Sequence, residues 1–302
     1  MYLQHFGLTE TPFSLTPNTG FFFGLAPHVE ALQVLQTALQ TGEGFIKVTG
    51  EVGTGKTLIC RKLMNDLPER FHCAYLPNPY LSPDELRWGV ALELGLKYSN
   101  QIDQQQLTSL IQQQLLALSA HGHSIVLVLD EAQALPDESL EALRLFTNLE
   151  TESRKLLQVV LFAQPELDER LALNKFRQLR QRITFSYCLR ALTNDESAAY
   201  IQHRLTVAGS EAGRLFSEAN AKRIARAARG IPRLINVISH KSLLVSFGEG
   251  AQKVETHHIG AAVADTSDAI QHQSRTIMWS LVGISVVLIA CGALYWFKGG
   301  VV

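Results

Sequence analysis

Short apolar runs recur through the first two thirds of the sequence and predict buried strands. The run at 125–129 has five apolar residues in succession, which is typical of a strand covered on both faces in a parallel sheet. Similar runs predict strands at 45–49, 71–76, 157–163 and 183–189. Helical patterns separate these runs, so the alternation favours an α/β fold with a parallel sheet.

Apolar positions at helical spacing and capping residues mark the helices of this first part. Val29, Leu32 and Leu35 recur at the spacing of a helix over 28–41. Ser82 and Glu85 have the spacing of a capping box, which begins a helix that runs to about residue 96. Further helices are predicted at 58–67 and at 104–120, where leucines recur between glutamines.

After residue 190 the pattern is helical throughout. Helices are predicted at 195–208, 218–229, 233–247 and 257–264. Their expected N-caps are Thr193, Ser217 and Thr256. These helices predict a small helical domain that follows the sheet domain along the chain.

The two ends of the sequence differ from the rest. Residues 1–27 are rich in aromatic residues and prolines, and we expect an arm that packs over the ligand site, with a simple tucked arm as the alternative. Residues 277–297 contain no charged side chain, and their length is enough for a membrane-spanning helix. We expect 266–276 to be a linker into that helix and 298–302 to be a short tail.

Composition adds little to this picture. The 302 residues carry a formal net charge of −1, so the whole chain shows no preference for a polyanion. The four cysteines are scattered and form no C-x-x-C pair, which argues against a zinc site or a disulfide framework. The N-terminus lacks the basic and apolar segments of a signal peptide.

Residues 50–57 match the phosphate-loop pattern G-x-x-x-x-G-K-[ST]. A predicted strand precedes the loop and a predicted helix follows it, so the helix N-terminus would face the anion. We expect the Lys56 ammonium to reach the β- and γ-phosphates of a nucleotide and the Thr57 hydroxyl to join a Mg²⁺ shell. The predicted nucleotide-binding residues are Gly50, Glu51, Val52, Gly53, Thr54, Gly55, Lys56, Thr57 and Leu58.

Asp130 and Glu131 follow the apolar run at 125–129, at the strand end where open α/β sheets bind ligands. We expect Asp130 to hold Mg²⁺ through its water shell and Glu131 to act as general base on the attacking water. Gln164 ends the strand at 157–163 and could lie between this water and the γ-phosphate. An ordinary polar residue at a strand end is the alternative.

Arginines supply the remaining candidates. Arg177 and Arg180 are three residues apart in a basic segment, and from one helical face they could reach the γ-phosphate bound by a neighbouring subunit. A solvated basic face or a nucleic-acid contact is the alternative. Arg233 begins a predicted helix after Gly230-Ile231-Pro232, and it could fold back onto the γ-phosphate of its own subunit.

A second basic group, Lys222, Arg226 and Arg229, is expected on one helical face. We interpret it as a solvated or partner-facing surface, with a contact to the DNA backbone as the alternative.

Together these motifs resemble AAA+ ATPases. The phosphate loop and the N-terminal residues Phe6-Gly7-Leu8, Pro12-Phe13 and Thr16-Pro17-Asn18 look most like the ExeA/GspA secretion ATPases and the ATPases of MSHA-type pilus biogenesis. The resemblance implies a P-loop sheet in three αβα layers with a C-terminal helical lid and one C-terminal transmembrane helix. It also implies that Gln164 is sensor 1, that Arg233 is sensor 2 and that an arginine within 177–182 is a finger, although sensor 1 is more often Asn, Thr or Ser.

The resemblance divides the chain as follows: an arm at 1–27, an AAA+ domain at 28–190, a helical lid at 191–265, a linker at 266–276, a transmembrane helix at 277–297 and a tail at 298–302. ATP and Mg²⁺ are the implied ligands. Because both are cytosolic, the ATPase domain would face the cytoplasm of a bacterial inner membrane, with a single pass through it.

The resemblance implies an ATPase that oligomerises with itself and supports an envelope machine, either type IV pilus biogenesis or type II secretion. Secretion-type relatives continue into a peptidoglycan-binding domain, whereas this sequence ends five residues after Phe297, which favours the pilus role. Other expected partners are inner-membrane assembly proteins and the bilayer, but not nucleic acid. The alternatives are an ATPase that acts on DNA, as in transposition or initiation, and a nucleotide-gated scaffold with slow hydrolysis.

Overall fold

The computed structural model describes residues 2–77, 80–97, 102–146, 149–150, 155–211 and 213–269. Five strands form one sheet: β1 (Phe45–Gly50), β2 (Phe71–Leu76), β3 (Ser124–Leu129), β4 (Leu157–Ala163) and β5 (Phe185–Leu189). Their order is β2-β3-β4-β1-β5, and every neighbouring pair is parallel. The predicted α/β fold with a parallel sheet is confirmed.

Alternate residues of the interior strand β3 enter two separate cores, which explains its uninterrupted apolar run. On β3, Val126 and Val128 pack on one face of the sheet, while Ile125 and Leu127 pack on the other. Helices α2 (Ala26–Gln40) and α3 (Lys56–Asp66) cover the first face. The second face is covered by α4 (Pro83–Glu93), α5 (Gln104–Ala120), α6 (Asp137–Phe146), α7 (Glu166–Leu171) and α8 (Arg177–Arg182). The sheet therefore lies in the middle of three αβα layers.

The remaining helices form a third core with the N-terminal segment. They are α1 (Tyr2–Phe6), α9 (Asn194–Val207), α10 (Glu218–Ala227), α11 (Pro232–Gly248) and α12 (Thr256–Ala264). Phe6, Phe13 and Phe21 are buried among residues of the last four helices. The aromatic residues of the N-terminal segment therefore complete the core of the helical lid.

Most helix boundaries follow the predicted capping residues. The capping boxes of Ser82 with Glu85 and of Thr193 with Glu196 are both formed. The predicted cap at Thr256 is wrong by one residue, because the N-cap of α12 is Glu255. Helices α6 and α7 are not predicted by the pattern above, and each spans ten residues or fewer.

The second basic group does not share one helical face, which corrects that expectation. Helix α10 ends at Ala227, and Arg229 has a φ of 54°, outside the helix. The Lys222 ammonium is bound by Asp195 at 2.9 Å and by Glu218 at 2.8 Å. The Lys222 ammonium is therefore paired, whereas Arg223 and Arg226 of α10 are exposed.

The predicted linker begins as packed structure. Thr266 and Ala269 are buried against the lid, and the Thr266 hydroxyl accepts from the Lys241 ammonium at 3.1 Å. Among the residues that the structure describes, no helix has both the length and the apolarity needed to cross a bilayer. The predicted span at 277–297 and the tail after it lie outside the described residues.

Candidate functional site

The loop between β1 and α3 folds around its glycines. Gly53 has a φ of 83° and Gly55, the N-cap of α3, has a φ of 104°, both in the left-handed region that favours glycine. The Thr54 hydroxyl donates to the Glu51 carbonyl at 2.8 Å and thereby closes the turn. This loop leaves the N-terminus of α3 open toward a cleft, in the arrangement that binds anions.

The Lys56 ammonium is buried beside this loop. It donates to the carbonyl of Gly50 at 2.7 Å and to that of Glu51 at 3.1 Å. Burial lowers the pKa of Lys56, although the nearby carboxylates Glu131 and Asp130 act in the opposite direction. The geometry places a desolvated positive charge where the loop would receive a phosphate.

The Thr57 hydroxyl donates to the Asp130 carboxylate at 2.7 Å. Burial raises the pKa of Asp130, while the hydrogen bonds from Thr57 and from the Glu131 N–H oppose that shift. A hydroxyl and a carboxylate in contact supply the hard oxygen ligands that Mg²⁺ prefers. The residues present therefore fit a Mg²⁺ site, with Asp130 and Thr57 as its protein side.

Glu131 follows Asp130 with a φ of 54°, an uncommon conformation for a residue with a side chain. Its Oε2 accepts from the side-chain amides of Gln164 at 3.0 Å and Gln133 at 2.7 Å. Burial alone would raise the pKa of Glu131, but these hydrogen bonds and the Lys56 charge hold it below its usual range. The site therefore presents an ionised carboxylate in a fixed position.

The lid contacts the phosphate loop directly. The Arg233 N–H, in the first turn of α11, donates to the Gly53 carbonyl at 3.1 Å. A Cβ at Gly53 would lie 2.6 Å from the Arg233 Cβ, so only glycine allows this approach. The exposed Arg233 side chain lines the same cleft as Lys56 and Glu131.

The N-terminal segment borders the cleft from the other side. The Arg61 guanidinium on α3 donates to the Pro17 carbonyl at 2.8 Å. On α9, the buried Arg204 guanidinium lies 4.5 Å from the Phe21 ring centroid and donates to the Pro12 carbonyl. These contacts hold the segment between α3 and the lid.

One cleft collects residues from all these elements. It is lined by Ser14, Leu15, Thr16, Pro17, Asn18, Phe23, His28, Val52, Gly53, Gly55, Lys56, Thr57, Leu58, Glu131, Tyr200, Arg204, Pro232, Arg233 and Asn236. Five predicted residues do not line this cleft but support it through the hydrogen bonds described above: Gly50, Glu51, Thr54, Asp130 and Gln164.

The predicted arginine finger lies elsewhere. Arg177 and Arg180 are exposed on α8 and do not line the cleft of their own chain. The Arg180 guanidinium donates to the carbonyls of Leu171 and Ala172 at 3.4 and 3.1 Å. Their role in a neighbouring subunit stays a prediction.

The sequence analysis missed several residues of the site, among them His28, Gln133 and the lining residues Tyr200, Arg204 and Asn236. The His28 ring is buried under the loop, and its Nε2 lies 3.0 Å from the Thr54 carbonyl, while burial lowers the pKa of His28. Gln133 contacts both Glu131 and Gln164. No local pattern distinguishes His28, whereas Gln133 stands two residues after Glu131 and could have been considered.

Comparison with protein families agrees with this geometry. The family model of an AAA domain matches residues 39–171. General secretion pathway protein A of Aeromonas hydrophila is 43% identical over 267 residues, which cover 88% of this chain and 49% of that protein. The chain therefore spans about half the length of this relative.

Solved structures share the fold. Cdc6p of Pyrobaculum aerophilum matches with a TM-score of 0.67 and 19% identity over 84% of this chain and 70% of its own. Drosophila ORC bound to DNA matches with a TM-score of 0.61 and 18% identity over 85% of this chain and 66% of its own. The RuvB Holliday junction branch migration motor of Thermotoga maritima matches with a TM-score of 0.53 and 18% identity over 87% of this chain and 78% of its own. At these identities the likeness shows the fold alone.

Proposed function

This chain belongs to the AAA ATPases of the general secretion pathway protein A type, and we propose that it binds ATP with Mg²⁺ and hydrolyses it. The observation that carries the proposal is the placement of two carboxylates at the end of β3. Asp130 is bonded to Thr57, and Glu131 is held by two amides beside the phosphate loop. A protein that only binds nucleotide has no need for the second carboxylate.

In the proposed reaction, Lys56 and the loop N–H groups bind the β- and γ-phosphates. Thr57 and Asp130 would hold Mg²⁺, which would supply positive charge against the phosphate oxygens. Glu131 accepts a proton from water as the water oxygen bonds to the γ-phosphorus and ADP leaves. Gln164 fixes Glu131, and Arg233 approaches the γ-phosphate from the lid.

The test uses the purified full chain in mild detergent. Wild type should hydrolyse ATP only with Mg²⁺, and Lys56→Ala should lose nucleotide binding. Glu131→Gln should keep binding while its kcat falls by about 100-fold or more, because a general base contributes that much. Equal single-turnover rates for wild type and Glu131→Gln would instead support a nucleotide-gated scaffold.

We further propose that a second copy of the chain completes the site. The support is the exposure of Arg177 and Arg180, which are absent from the cleft of their own chain. The Lys56→Ala variant and a variant in which Arg177 and Arg180 are replaced by alanine should each be inactive alone. A mixture of the two should regain activity at sites that combine residues of both variants. Arg223→Ala, an exposed arginine on α10, is the control. Mixed oligomers without any regained activity would contradict shared sites.

The proposal for the cellular role is supported by the relative and by the apolar sequence beyond residue 269. We propose a single-pass protein of the bacterial inner membrane, anchored by 277–297, with its ATPase domain cytoplasmic. Its hydrolysis would support assembly of an envelope machine with inner-membrane partners, in secretion or in MSHA-type pilus biogenesis. Loss of secreted proteins with normal pili in a deletion strain would support secretion, and the reverse would support pilus biogenesis.

A further inference from the structure

Gln133 is the residue that connects the two strand ends of the site. Its Nε2 donates to the Glu131 carboxylate at 2.7 Å, and its Oε1 accepts from the Gln164 N–H at 3.0 Å. We propose that Gln133 is a positioning residue that fixes the Glu131 carboxylate against the end of β4. This inference rests on the proposed ATPase function, because Glu131 is the general base of that reaction.

The backbone at Glu131 shows why such a residue is needed. With a φ of 54°, Glu131 lies between the end of β3 and a 3₁₀ turn at Ala132–Ala134. A non-glycine residue in this region is strained and persists only when its surroundings hold it. The side-chain amide of Gln133 reaches back from that turn to the Glu131 carboxylate and supplies this restraint.

Gln133 and Gln164 act on the same oxygen. Both amides donate to Oε2 of Glu131, at 2.7 and 3.0 Å. Because Gln133 also holds the backbone of Gln164, it aligns the second donor as well as supplying the first.

Arg170 holds the backbone of Gln133. From α7, its guanidinium donates to the carbonyls of Gln133 at 2.6 Å and Leu135 at 2.9 Å, and to the Asp137 carboxylate at 2.5 Å. Lys175 binds the same carboxylate. Gln133 and Gln164 together form a clamp on the Glu131 carboxylate. Arg170 connects this clamp to the segment that leads into α8, where the proposed finger arginines lie.

A purely structural role would make a different prediction. If Gln133 only closes its turn, then an acceptor for the Gln164 N–H is all that its side chain must provide. Gln133→Glu keeps the shape and that acceptor but replaces the donor with a carboxylate. The substitution therefore separates the positioning role from the structural one.

The experiment measures ATP hydrolysis and nucleotide binding by the purified full chain. Gln133→Glu should lower kcat by about 10- to 100-fold, as expected for a misplaced catalytic group, with the affinity for a fluorescent ATP analogue within about twofold of wild type. The acid limb of the kcat–pH profile should move to higher pH, because Glu131 loses a donor and gains a negative neighbour. The other charged groups facing Glu131, Lys56 and Asp130, are unchanged in both proteins.

Two further variants complete the design. Gln113→Leu, on the exposed face of α5, should match wild type in every measurement. Arg170→Ala should shift the acid limb in the same direction, and combining it with Gln133→Glu should add less than the sum of the two, because both act on one clamp.

The possible outcomes distinguish failure of the positioning role of Gln133 from failure of the proposed ATPase function. A wild type without ATP hydrolysis would overturn the proposed function itself. An active wild type with an equally active Gln133→Glu and an unmoved acid limb would overturn only the positioning role. Loss of nucleotide affinity in a folded Gln133→Glu would likewise overturn it, because the residue would then act on binding.

Discussion

The contact between Gly53 and the lid gives a quantitative prediction for Gly53→Ala. A Cβ at Gly53 would lie 2.6 Å from the Arg233 Cβ, whereas carbon atoms in contact are ordinarily ~3.5–4.0 Å apart. The new methyl must therefore push the first turn of α11 away from the loop. That movement also stretches the hydrogen bond from the Arg233 N–H to the Gly53 carbonyl.

A matched control isolates this contact from backbone strain. Gly42 has a φ of 80°, nearly the 83° of Gly53, but a Cβ there meets no atom within 4 Å. Both alanine variants carry the penalty of a side chain in the left-handed region, about 1–2 kcal/mol. Only Gly53→Ala adds overpacking against the lid, about 1–3 kcal/mol.

The assay is thermal unfolding of the full chain without nucleotide. For an additional ~2 kcal/mol, the Tm of Gly53→Ala should fall ~4–8 °C below that of Gly42→Ala, since a chain of this size shifts ~2–4 °C per kcal/mol. Combining Gly53→Ala with Arg233→Gly removes the opposing Cβ, so the double variant should lose less stability than the sum of the two single variants. Equal Tm values for the two alanine variants would refute the reasoning.

Three further predictions concern charge and pH. The hydrogen bonds and charge of Arg190 hold the pKa of Glu196 at about 2, below its ordinary 4.5. The resulting stabilisation is present above pH 4.5 and is lost as the pH falls toward 2. Glu196→Gln should therefore flatten the decline of Tm between pH 5 and pH 3, and an unchanged slope would contradict this prediction. Burial lowers the pKa of His28 below 6.5, so protonation of this side chain opposes folding as the pH falls below 6.5. In urea unfolding, the free energy of unfolding of His28→Gln should therefore fall less than that of wild type between pH 7 and pH 5. The Lys222 ammonium is paired by Asp195 and Glu218, so Lys222→Ala should leave the affinity of the full chain for duplex DNA unchanged. A salt-sensitive affinity that falls on this substitution would revive the DNA hypothesis.

The strands could be placed from the sequence because their signal is local. All five predicted strands agree with the structure to within two residues at either end. A strand buried on both faces needs apolar residues in succession, so the apolar run alone identifies the strand. The N-terminal boundaries of α9 and α4 were equally accessible, because capping boxes involve residues only three positions apart, whereas α4 ends at Glu93, three residues before its predicted end.

The partners of Glu131 could be predicted only in part. Gln164 was accessible because β3 and β4 are parallel neighbours, which brings the residues after them together. Gln133 lies in a 3₁₀ turn whose path depends on Arg170, a residue 37 positions away. A contact over that separation leaves no periodic trace in the sequence.

The sequence by itself determined the strands, the phosphate loop and the carboxylates that follow β3, because each depends on residues close together in the chain. Only the tertiary structure decided that the N-terminal aromatic residues complete the core of the lid, that His28 lies beneath the loop and that Gln133 holds Glu131. It also brought Arg233 against Gly53, a glycine 180 positions earlier in the chain. These arrangements come from the packing of three cores against one another, and packing is a property of surfaces that meet only when the chain is folded.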